Sequence, residues 1–202
     1  MTRAYWIIPR LWPGETAVIL AGGPSLGLKE IRHVARAKLE NSCRVIAVND
    51  AIYPAWWADW LHSSDNKWWN WHRLTATKFS GIKTTQGEIV PPQWGVELLH
   101  NTGIEGFDPD PACVRAGNSS AYQAVHCAIH AGARKIVLLG VDMTEGHWFG
   151  RHPDGMDQGC AAMLPCWPTL LPALEERGIE VINCSPDTRL DCFEKRRLAE
   201  VL

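Results

Sequence analysis

Short runs of consecutive apolar residues alternate along the chain with segments in which apolar residues recur every three or four positions. The runs at Ala17–Ala21, Cys43–Asp50 and Lys135–Asp142 are rich in β-branched and aliphatic side chains, which is typical of buried parallel strands. Helical spacing is clearest over Leu28–Leu39 and Ala121–Ile129. This alternation predicts an α/β fold, with a three-layer α/β/α, Rossmann-like architecture and a mostly parallel sheet.

Weaker parts of the pattern complete this architecture. Further elements are predicted as strands over Asp59–Ser63, Gly81–Thr85 and Ile179–Ser185, and as helices over Asp65–Leu74, over Trp167–Arg177 and from about Asp191. Residues 143–163 combine glycines, histidines and acids without a period, so we expect a short lid loop there. A chain of 202 residues fits a single domain, which we expect to comprise residues 1–202.

The first predicted strand runs into the stretch "AGGPSLG", which is typical of a strand, a glycine turn and a helix. Ser25 is predicted to cap this helix, because its hydroxyl can accept an N–H of the first turn. The N–H groups of such a turn point beyond the carboxyl end of the strand, where they can bind a phosphate. Gly22, Gly23 and Pro24 would also suit a tight turn that binds nothing, since their spacing is not that of a dinucleotide fingerprint. Both interpretations stay open.

Polar residues follow several other predicted strands. Asn49 and Asp50 end the second strand, and Asp142 ends the strand that follows the longest helical stripe. In a parallel α/β sheet such positions meet at the carboxyl edge, where ligands bind. The sequence therefore predicts one ligand crevice, formed by Gly22–Ser25, Asn49–Asp50, Ser63–Asp65, Gly117–Ser120 and Asp142–His152.

Charge and cysteine content narrow the functional classes. The formal net charge is −2, so the chain lacks the overall basic field that marks a broad nucleic-acid-binding surface, although a local groove stays open. The seven cysteines are scattered without a CxxC pair and predict reduced thiols in a cytoplasmic protein. No apolar run approaches the length of a membrane span, and no secretory signal is recognisable.

Four segments carry a resemblance to known families in their order and spacing. They are "ILAGGPSLGLKEI", "VIAVND", "GNSSAYQAVHCAIHAGARKIVLLGVD" and "EVINCSPDTRLDCFEK". In these segments the sequence resembles the bacterial sialyltransferases of glycosyltransferase family 42. It is also similar to the related DUF115 group, which includes motility accessory factors that glycosylate flagellin and archaeal 6-hydroxymethylpterin diphosphokinases. It also resembles phage-encoded members of this group, which carry a "D-x-W-W" and an "HW-x-G-x-H-P" stretch; this chain has the second at 147–153 and "DNKWW" in place of the first.

The resemblance implies a site for a nucleotide or a nucleotide sugar. In these families the glycine turn takes the phosphate region, and the Asn after the second strand helps to hold the nucleotide. The nucleotide-binding residues predicted for this chain are Gly22, Gly23, Pro24, Ser25, Asn49, Asp50, Ser64, Asp65, Gly117, Asn118, Ser119, Ser120 and Asp142.

The chain departs from the sialyltransferase pattern at two places. The sialyltransferase turn is Gly-Asn-Gly-Pro-Ser, and the Asn is absent here. Tyrosines that support the departing phosphate in those enzymes are replaced by Thr144, His147 and Trp148. The DUF115 pattern of an acid, a glycine and a histidine is kept in Asp142, Gly146 and His147.

Transfer of a glycosyl or phosphoryl group needs a base for the acceptor hydroxyl and a group that supports the leaving phosphate. His147 and His152, on the predicted lid loop, are the candidate catalytic bases, and the choice between them stays open. Arg151 precedes His152 and could clamp a phosphate through two parallel hydrogen bonds. The alternative is a solvated polar loop with no catalytic role.

The leading expectation is a nucleotide-binding transferase. It would be a sialyltransferase-like glycosyltransferase that moves a sugar from a nucleotide-sugar donor to an unknown acceptor and needs no cofactor. One alternative is a diphosphokinase-like phosphotransferase that uses ATP and Mg²⁺, with Asp50 or Asp142 as a metal ligand. Another is a phage or cellular protein that sequesters a nucleotide without catalysis. We expect a cytoplasmic location, in the host cytoplasm if the protein is phage-encoded, and homo-oligomerisation stays open.

Three further clusters have structural alternatives. Trp68 and Trp69 could stack a base or sugar, although tryptophan at helical spacing more often packs in the core. His126 and His130 lie four apart, as metal ligands can, but are predicted to be a partly exposed pair beside the core. A zinc site would need His147, His152, Cys160 and Cys166. Their spacing matches no known ligand pattern, so no metal site is predicted.

Overall fold

An eight-stranded sheet runs through the computed structural model, which describes residues 4–87, 90–150 and 160–202. Its strands form from the apolar runs of the sequence, whose β-branched residues suit an extended backbone buried on both faces. Two short strands pair separately as a second sheet. The strands are β1 (Thr16–Leu20), β2 (Arg44–Val48), β3 (Trp60–His62), β4 (Ile82–Thr85), β5 (Glu97–Leu98), β6 (His100–Asn101), β7 (Cys113–Val114), β8 (Lys135–Leu139), β9 (Glu180–Asn183) and β10 (Glu194–Lys195).

The helices connect these strands in chain order. The α-helices are α1 (Leu28–Leu39), α2 (Asn66–Trp71), α3 (Arg73–Lys78), α4 (Ser120–Ala131) and α5 (Leu171–Arg177). Short 3-10 helices span Asn49–Ile52, Pro92–Trp94, Cys160–Ala162, Leu164–Leu170 and Leu198–Glu200. The longest described helices, α1 and α4, have 12 residues each, and none in the described part of the chain has the length and apolar character of a membrane span.

The order of strands in the large sheet is β10-β9-β8-β1-β2-β3-β4-β5. Every pairing between these strands is parallel in the described ranges. Strand β1 lies between β8 and β2. The strands β2 to β5 extend the sheet on one side of β1 and β8 to β10 extend it on the other, so the direction of strand addition reverses at β1. Ligands of open α/β sheets bind outside the carboxyl ends of the strands at such a switch point.

Alternate residues of the central strands face two separate apolar layers. On β1, Ala17 and Ile19 face the layer of α4 and α5, whereas Val18 and Leu20 face the layer of α1 and α2. All four residues have no exposed surface. The predicted three-layer, Rossmann-like α/β architecture is therefore confirmed.

Two predictions about helix ends are wrong. Helix α1 is capped by Gly27 rather than Ser25, because the Ser25 N–H is bound to the carboxyl group of Asp142 and the turn continues for two more residues. The predicted helix from about Asp191 is absent in the described chain. Glu194 and Lys195 instead form the edge strand β10, which pairs with β9, and only a 3-10 turn follows.

The helix predicted over Trp167–Arg177 is divided in two. The first part belongs to the 3-10 helix that ends at Leu170, and α5 begins at Leu171. Pro168 lies inside the 3-10 segment, where its missing N–H and fixed φ disfavour a regular α-helix.

Candidate functional site

A cavity of about 630 Å³ opens at the carboxyl ends of β8, β1, β2 and β3, against the N-terminus of α4. This main cavity lies at the switch point of the sheet, as the sequence predicted for the ligand crevice. The predicted site residues that line it are Gly22, Gly23, Asn49, Ser64, Asp65, Asn118, Ser119, Ser120, Asp142 and His147.

Four other predicted residues do not line the main cavity, namely Pro24, Ser25, Asp50 and Gly117. The carboxyl group of Asp50 accepts a hydrogen bond of 3.0 Å from the indole N–H of Trp68 and lies 3.7 Å from Nε2 of His72. Asp50 therefore packs beneath α2 rather than facing the cavity. The candidate catalytic residues Arg151 and His152 lie outside the described residues.

Asp142 is the most buried acid of the main cavity, with 2% of its surface exposed. Its Oδ2 atom accepts the N–H of Ser25 at 3.2 Å. Its Oδ1 atom is buried and has no hydrogen-bond partner among the described residues. An unsatisfied buried oxygen costs about 1–3 kcal/mol, which a ligand that donates a hydrogen bond would recover.

The glycine turn packs tightly on the loop that carries Asp142. A Cβ atom at Gly23 would lie 2.0 Å from Oδ2 of Asp142 and 2.5 Å from the carbonyl oxygen of Gly140. The N–H of Gly23 donates to that same carbonyl at 2.8 Å. Two N–H groups of the turn, those of Gly23 and Ser25, are therefore bound within the protein. The need for glycine at position 23 follows from this internal contact.

Backbone strain is concentrated around the main cavity. The non-glycine residues Asn49, Asn118 and Met143 all line it and have φ values of 52°, 53° and 53°. Such left-handed conformations are uncommon outside glycine and carry an energetic cost, which clusters at ligand sites. At Asn49 the left-handed turn directs the chain from β2 into the following 3-10 helix.

Hydrogen bonds between serines join the end of β3 to the start of α4. The N–H of Ser64 donates to Oγ of Ser120 at 3.0 Å, and the two hydroxyl oxygens lie 2.7 Å apart. Directly below them, the imidazole of His62 lies 2.9 Å from Oγ1 of Thr84 and 3.0 Å from Oε1 of Gln123. This buried network fixes the β3 loop and the first turn of α4 relative to each other.

A second buried network holds the Asp142 segment in place from the other side. Asn183 and Thr188 both donate hydrogen bonds to the carbonyl of Val141, at 3.2 and 2.7 Å. Ser185 accepts the Val141 N–H at 2.9 Å. These three polar residues are 94% or more buried. The motif "INCSPDT" therefore acts as a clamp that positions Asp142 without lining the cavity.

Two of the histidines are fully buried. Burial lowers the pKa of His62 and of His126 to about 4. The prediction that His126 is partly exposed is wrong, because its ring packs between Tyr122 and Phe107 with no exposed surface. His130, its predicted partner, is half-buried.

These lowered pKa values predict a loss of stability in mild acid. Between pH 6.5 and pH 4 the unfolded chain binds protons at His62 and His126 that the folded chain does not. The free energy of unfolding should be largest above pH 6.5 and fall by about 1.4 kcal/mol per pH unit for each such histidine as the pH drops toward 4. Urea denaturation at pH 7, 6 and 5 measures this slope. His126→Gln should reduce the slope by the contribution of one histidine, about 1.4 kcal/mol per pH unit. An unchanged slope in that variant would show that His126 does not contribute to the pH dependence.

Aromatic residues form one wall of the main cavity. Trp68 is 2% exposed and Trp69 has no exposed surface, so the predicted tryptophan pair packs mostly in the core. Trp71, which is 36% exposed, and Phe149 line the cavity as well. Phe149 stacks on His147 with ring centroids 4.9 Å apart and planes at 4°. The predicted site residues did not include Trp71 or Phe149, although Phe149 falls within the predicted crevice segment Asp142–His152.

The charged residues that line the main cavity, among those that the structure describes, are all acidic. Asp65, Asp142 and Glu145 line it, and no lysine or arginine does so within residues 4–87, 90–150 and 160–202. Within the same ranges, no group of three His, Cys, Asp or Glu side chains could hold a metal ion. Of the cysteines once considered for zinc, Cys160 donates to the carbonyl of Thr144, and Cys166 is 2% exposed.

Two solved structures resemble this fold. The MAf glycosyltransferase from Magnetospirillum magneticum AMB-1 superposes with a TM-score of 0.71 at 12% sequence identity, over 100% of this chain and 37% of that one. The sialyltransferase CstII from Campylobacter jejuni, in complex with the substrate analogue cytidine-5'-monophosphate, gives a TM-score of 0.55 at 12% identity, over 91% of this chain and 85% of that one. Both neighbours are glycosyltransferases.

The likeness at this level of identity is one of fold. This chain spans little more than a third of the length of the MAf structure. No family model and no curated protein matches the sequence. Function must therefore be argued from the site itself.

Proposed function

We propose that the chain binds a nucleotide sugar in the main cavity and transfers the sugar to a hydroxyl group of an acceptor. The observation that carries the proposal is the convergence of Asn49, Ser64, Ser120, Asp142 and His147 on one cavity at the switch point of the sheet. The backbone strain and the unpartnered oxygen of Asp142 at the same place are typical of a ligand site. The glycosyltransferase fold of both structural neighbours favours this chemistry over others that the cavity could host.

His147 is suited to the role of general base. Its Nδ1 atom lies 3.3 Å from the carbonyl oxygen of Gly22, and the neighbouring Trp148 N–H donates to that carbonyl at 3.1 Å. An Nδ1–H bond to the carbonyl leaves the lone pair on Nε2, which is the tautomer that accepts a proton. The stacked ring of Phe149 holds the plane of the imidazole. His147 would then take the proton of the acceptor hydroxyl as it attacks the sugar.

The nucleotide would be bound by neutral polar groups. Ser119 and Ser120 at the start of α4 offer hydroxyls near the positive end of a 12-residue helix, which favours a phosphate. Asn49 has a buried Oδ1 atom without a hydrogen-bond partner among the described residues, which could accept from a base or ribose. Trp71 offers a partly exposed ring for stacking.

A second candidate is supported by the acidic lining. Asp65, Asp142 and Glu145 would repel a diphosphate or triphosphate unless a cation offset the charge. Mg²⁺ fits this requirement, because it binds through one or two carboxylates and completes its shell with phosphate oxygens and water. Oδ1 of Asp142 is the oxygen that would ligate it. This arrangement would suit the transfer of a phosphoryl group from ATP, the alternative expected from the sequence.

A nucleotide-binding screen separates the two candidates. Thermal unfolding is measured with CMP, CDP, UDP, GDP, ADP and ATP, each with Mg²⁺ and with EDTA. A ligand at a hundred times its dissociation constant stabilises the folded state by about 2.7 kcal/mol, which in a domain of this size raises the midpoint by about 5–10 °C. We expect a metal-independent shift with one of the nucleotides that serve as sugar carriers.

The other outcomes of this screen are also informative. A shift with ATP that requires Mg²⁺ would favour the phosphotransferase and overturn the sugar-transfer proposal. A shift without any turnover of the matching nucleotide sugar would favour sequestration. The absence of a shift with every nucleotide would overturn nucleotide binding as such.

A further inference from the structure

A second cavity lies at the opposite edge of the sheet from the main cavity. It has a volume of about 340 Å³ and is formed at the amino ends of β1, β8 and β9. Three arginines, Arg10, Arg134 and Arg177, are among the residues that line it, and we call it the arginine pocket. Its apolar lining comes from Ile129, Ala133 and Ile179.

The charge of the arginine pocket is compensated at one of its three arginines, since Arg177 pairs with Glu176, which does not line the pocket. No acidic residue lines it in the described part of the chain. The side chains of Arg10 and Arg134 have no ion pair or hydrogen bond with the described residues. Acids on the neighbouring strands are already paired, since Glu15 binds Arg44 and Glu180 binds Lys135.

Each arginine of the pocket lies beside a glycine or an aromatic ring, although Arg10 and Arg134 are themselves exposed. A Cβ atom at Gly132 would lie 2.9 Å from Cγ of Arg10, and a Cβ atom at Gly178 would lie 3.5 Å from Nη2 of Arg134. The guanidinium of Arg177 lies 4.7 Å from the centre of the Phe107 ring. The planar guanidinium group of arginine is pre-organised, so it loses less conformational entropy per hydrogen bond formed than a lysine side chain does.

We propose that the arginine pocket binds the phosphate group of a small ligand. Arg10 and Arg134 have no acidic partner among the described residues, and a bound phosphate would neutralise their charge while accepting paired hydrogen bonds from guanidinium groups. A volume of 340 Å³ exceeds what a single phosphate fills, and Ile129 and Ile179 provide apolar surface for a carbon skeleton. The ligand is therefore inorganic phosphate or pyrophosphate, or the phosphate ester of a small organic molecule.

A purely structural role for these arginines is the alternative. The pocket adjoins the C-terminal ends of α4 and α5, where cations interact favourably with the helix dipole. In that case the arginines would stabilise the free protein, and phosphate would add nothing. The two roles differ in their dependence on added anion.

The test uses pyrophosphate, inorganic phosphate and ribose 5-phosphate as probes, at constant ionic strength and with EDTA. Calorimetry gives the affinities of the wild type, Arg10→Ala, Arg134→Ala and the matched surface control Arg36→Ala. Arg36 lies on α1, pairs with Glu40 and has a side chain that is 82% exposed. Losing one charged hydrogen-bond donor should weaken binding by about tenfold in Arg10→Ala and in Arg134→Ala, while Arg36→Ala matches the wild type.

Each outcome decides the proposal. Tighter binding of ribose 5-phosphate than of inorganic phosphate supports an organic ligand, and the reverse supports an inorganic one. Wild-type affinity in both pocket variants, or no binding of any probe to the wild type, would overturn the proposal and leave helix stabilisation as the role of the arginines. Arg134→Ala should retain the nucleotide-dependent thermal shift, because the main cavity lies at the other edge. Failure of the arginine pocket is therefore distinguishable from failure of the proposed transferase function.

Discussion

Replacing His147 with alanine is expected to lower the rate of sugar transfer by about 10²- to 10⁴-fold, the contribution typical of a general base. The affinity for the nucleotide should stay within a few-fold of the wild type, since the change removes a proton acceptor rather than a nucleotide contact. Release of free nucleotide from the donor sugar in the presence of acceptor measures the rate. Thermal shift with the free nucleotide measures the affinity.

The matched control for this variant is His100→Ala. His100 is exposed on the short strand β6, stacks on Tyr5 and does not line the main cavity. Its replacement should leave the transfer rate unchanged. If the His147→Ala protein turns over at the wild-type rate, His147 is not the general base.

Replacing Asp142 with asparagine is expected to reduce transfer by at least about 100-fold without lowering the thermal midpoint of the free protein. Asparagine has the same shape, and its carbonyl oxygen can still accept the Ser25 N–H. The change replaces the buried, unpartnered Oδ1 atom with an NH₂ donor, so a ligand that donates a hydrogen bond to that oxygen loses its acceptor. Residues at functional sites commonly trade stability for activity, and removing a buried charge whose Oδ1 atom has no hydrogen-bond partner among the described residues relieves such a cost.

The opposite result would indicate a structural acid. If Asp142 mainly holds the glycine turn, Asp142→Asn would lower the thermal midpoint and affect transfer only in proportion to the loss of folded protein. Asp59→Asn is the matched control, because its carboxyl group accepts the Val45 N–H at 2.8 Å and pairs with Lys38 away from the main cavity. That control should lose stability and keep its transfer rate per folded molecule.

The central architecture could be predicted because its signals are local. The sequence predicts β1 and β8 from their apolar runs and α4 from its helical stripe, and all three elements are present. Because the strands are parallel, their carboxyl ends meet at one edge of the sheet. The prediction of a C-terminal helix was wrong, because Glu194 and Lys195 pair with Ile182 and Asn183 of β9. That contact depends on tertiary structure, and local spacing of apolar residues carries no trace of it.

The residues that line the main cavity were predictable to within a residue at some positions and not at others. Asn49 and Asp50 were both predicted as site residues because they follow β2. The backbone at Asn49 is left-handed, and Asn49 lines the main cavity whereas Asp50 does not. Gly23 was predicted to lie beside the phosphate of a nucleotide. In the structure, the carboxyl group of Asp142 occupies the space next to Gly23. Phe149 falls within the predicted crevice segment Asp142–His152, but an irregular loop has no periodicity that shows which of its side chains line the cavity.

The clamp of Asn183, Ser185 and Thr188 has a consequence for biosynthesis. These residues follow every residue of the main cavity in the chain, so they leave the ribosome after the cavity lining has been made. Until they arrive, the Val141 carbonyl lacks both of its side-chain donors, and the Asp142 carbonyl lacks the N–H of Arg189. The segment that carries Asp142 therefore completes its hydrogen bonds only after this late part of the chain has docked.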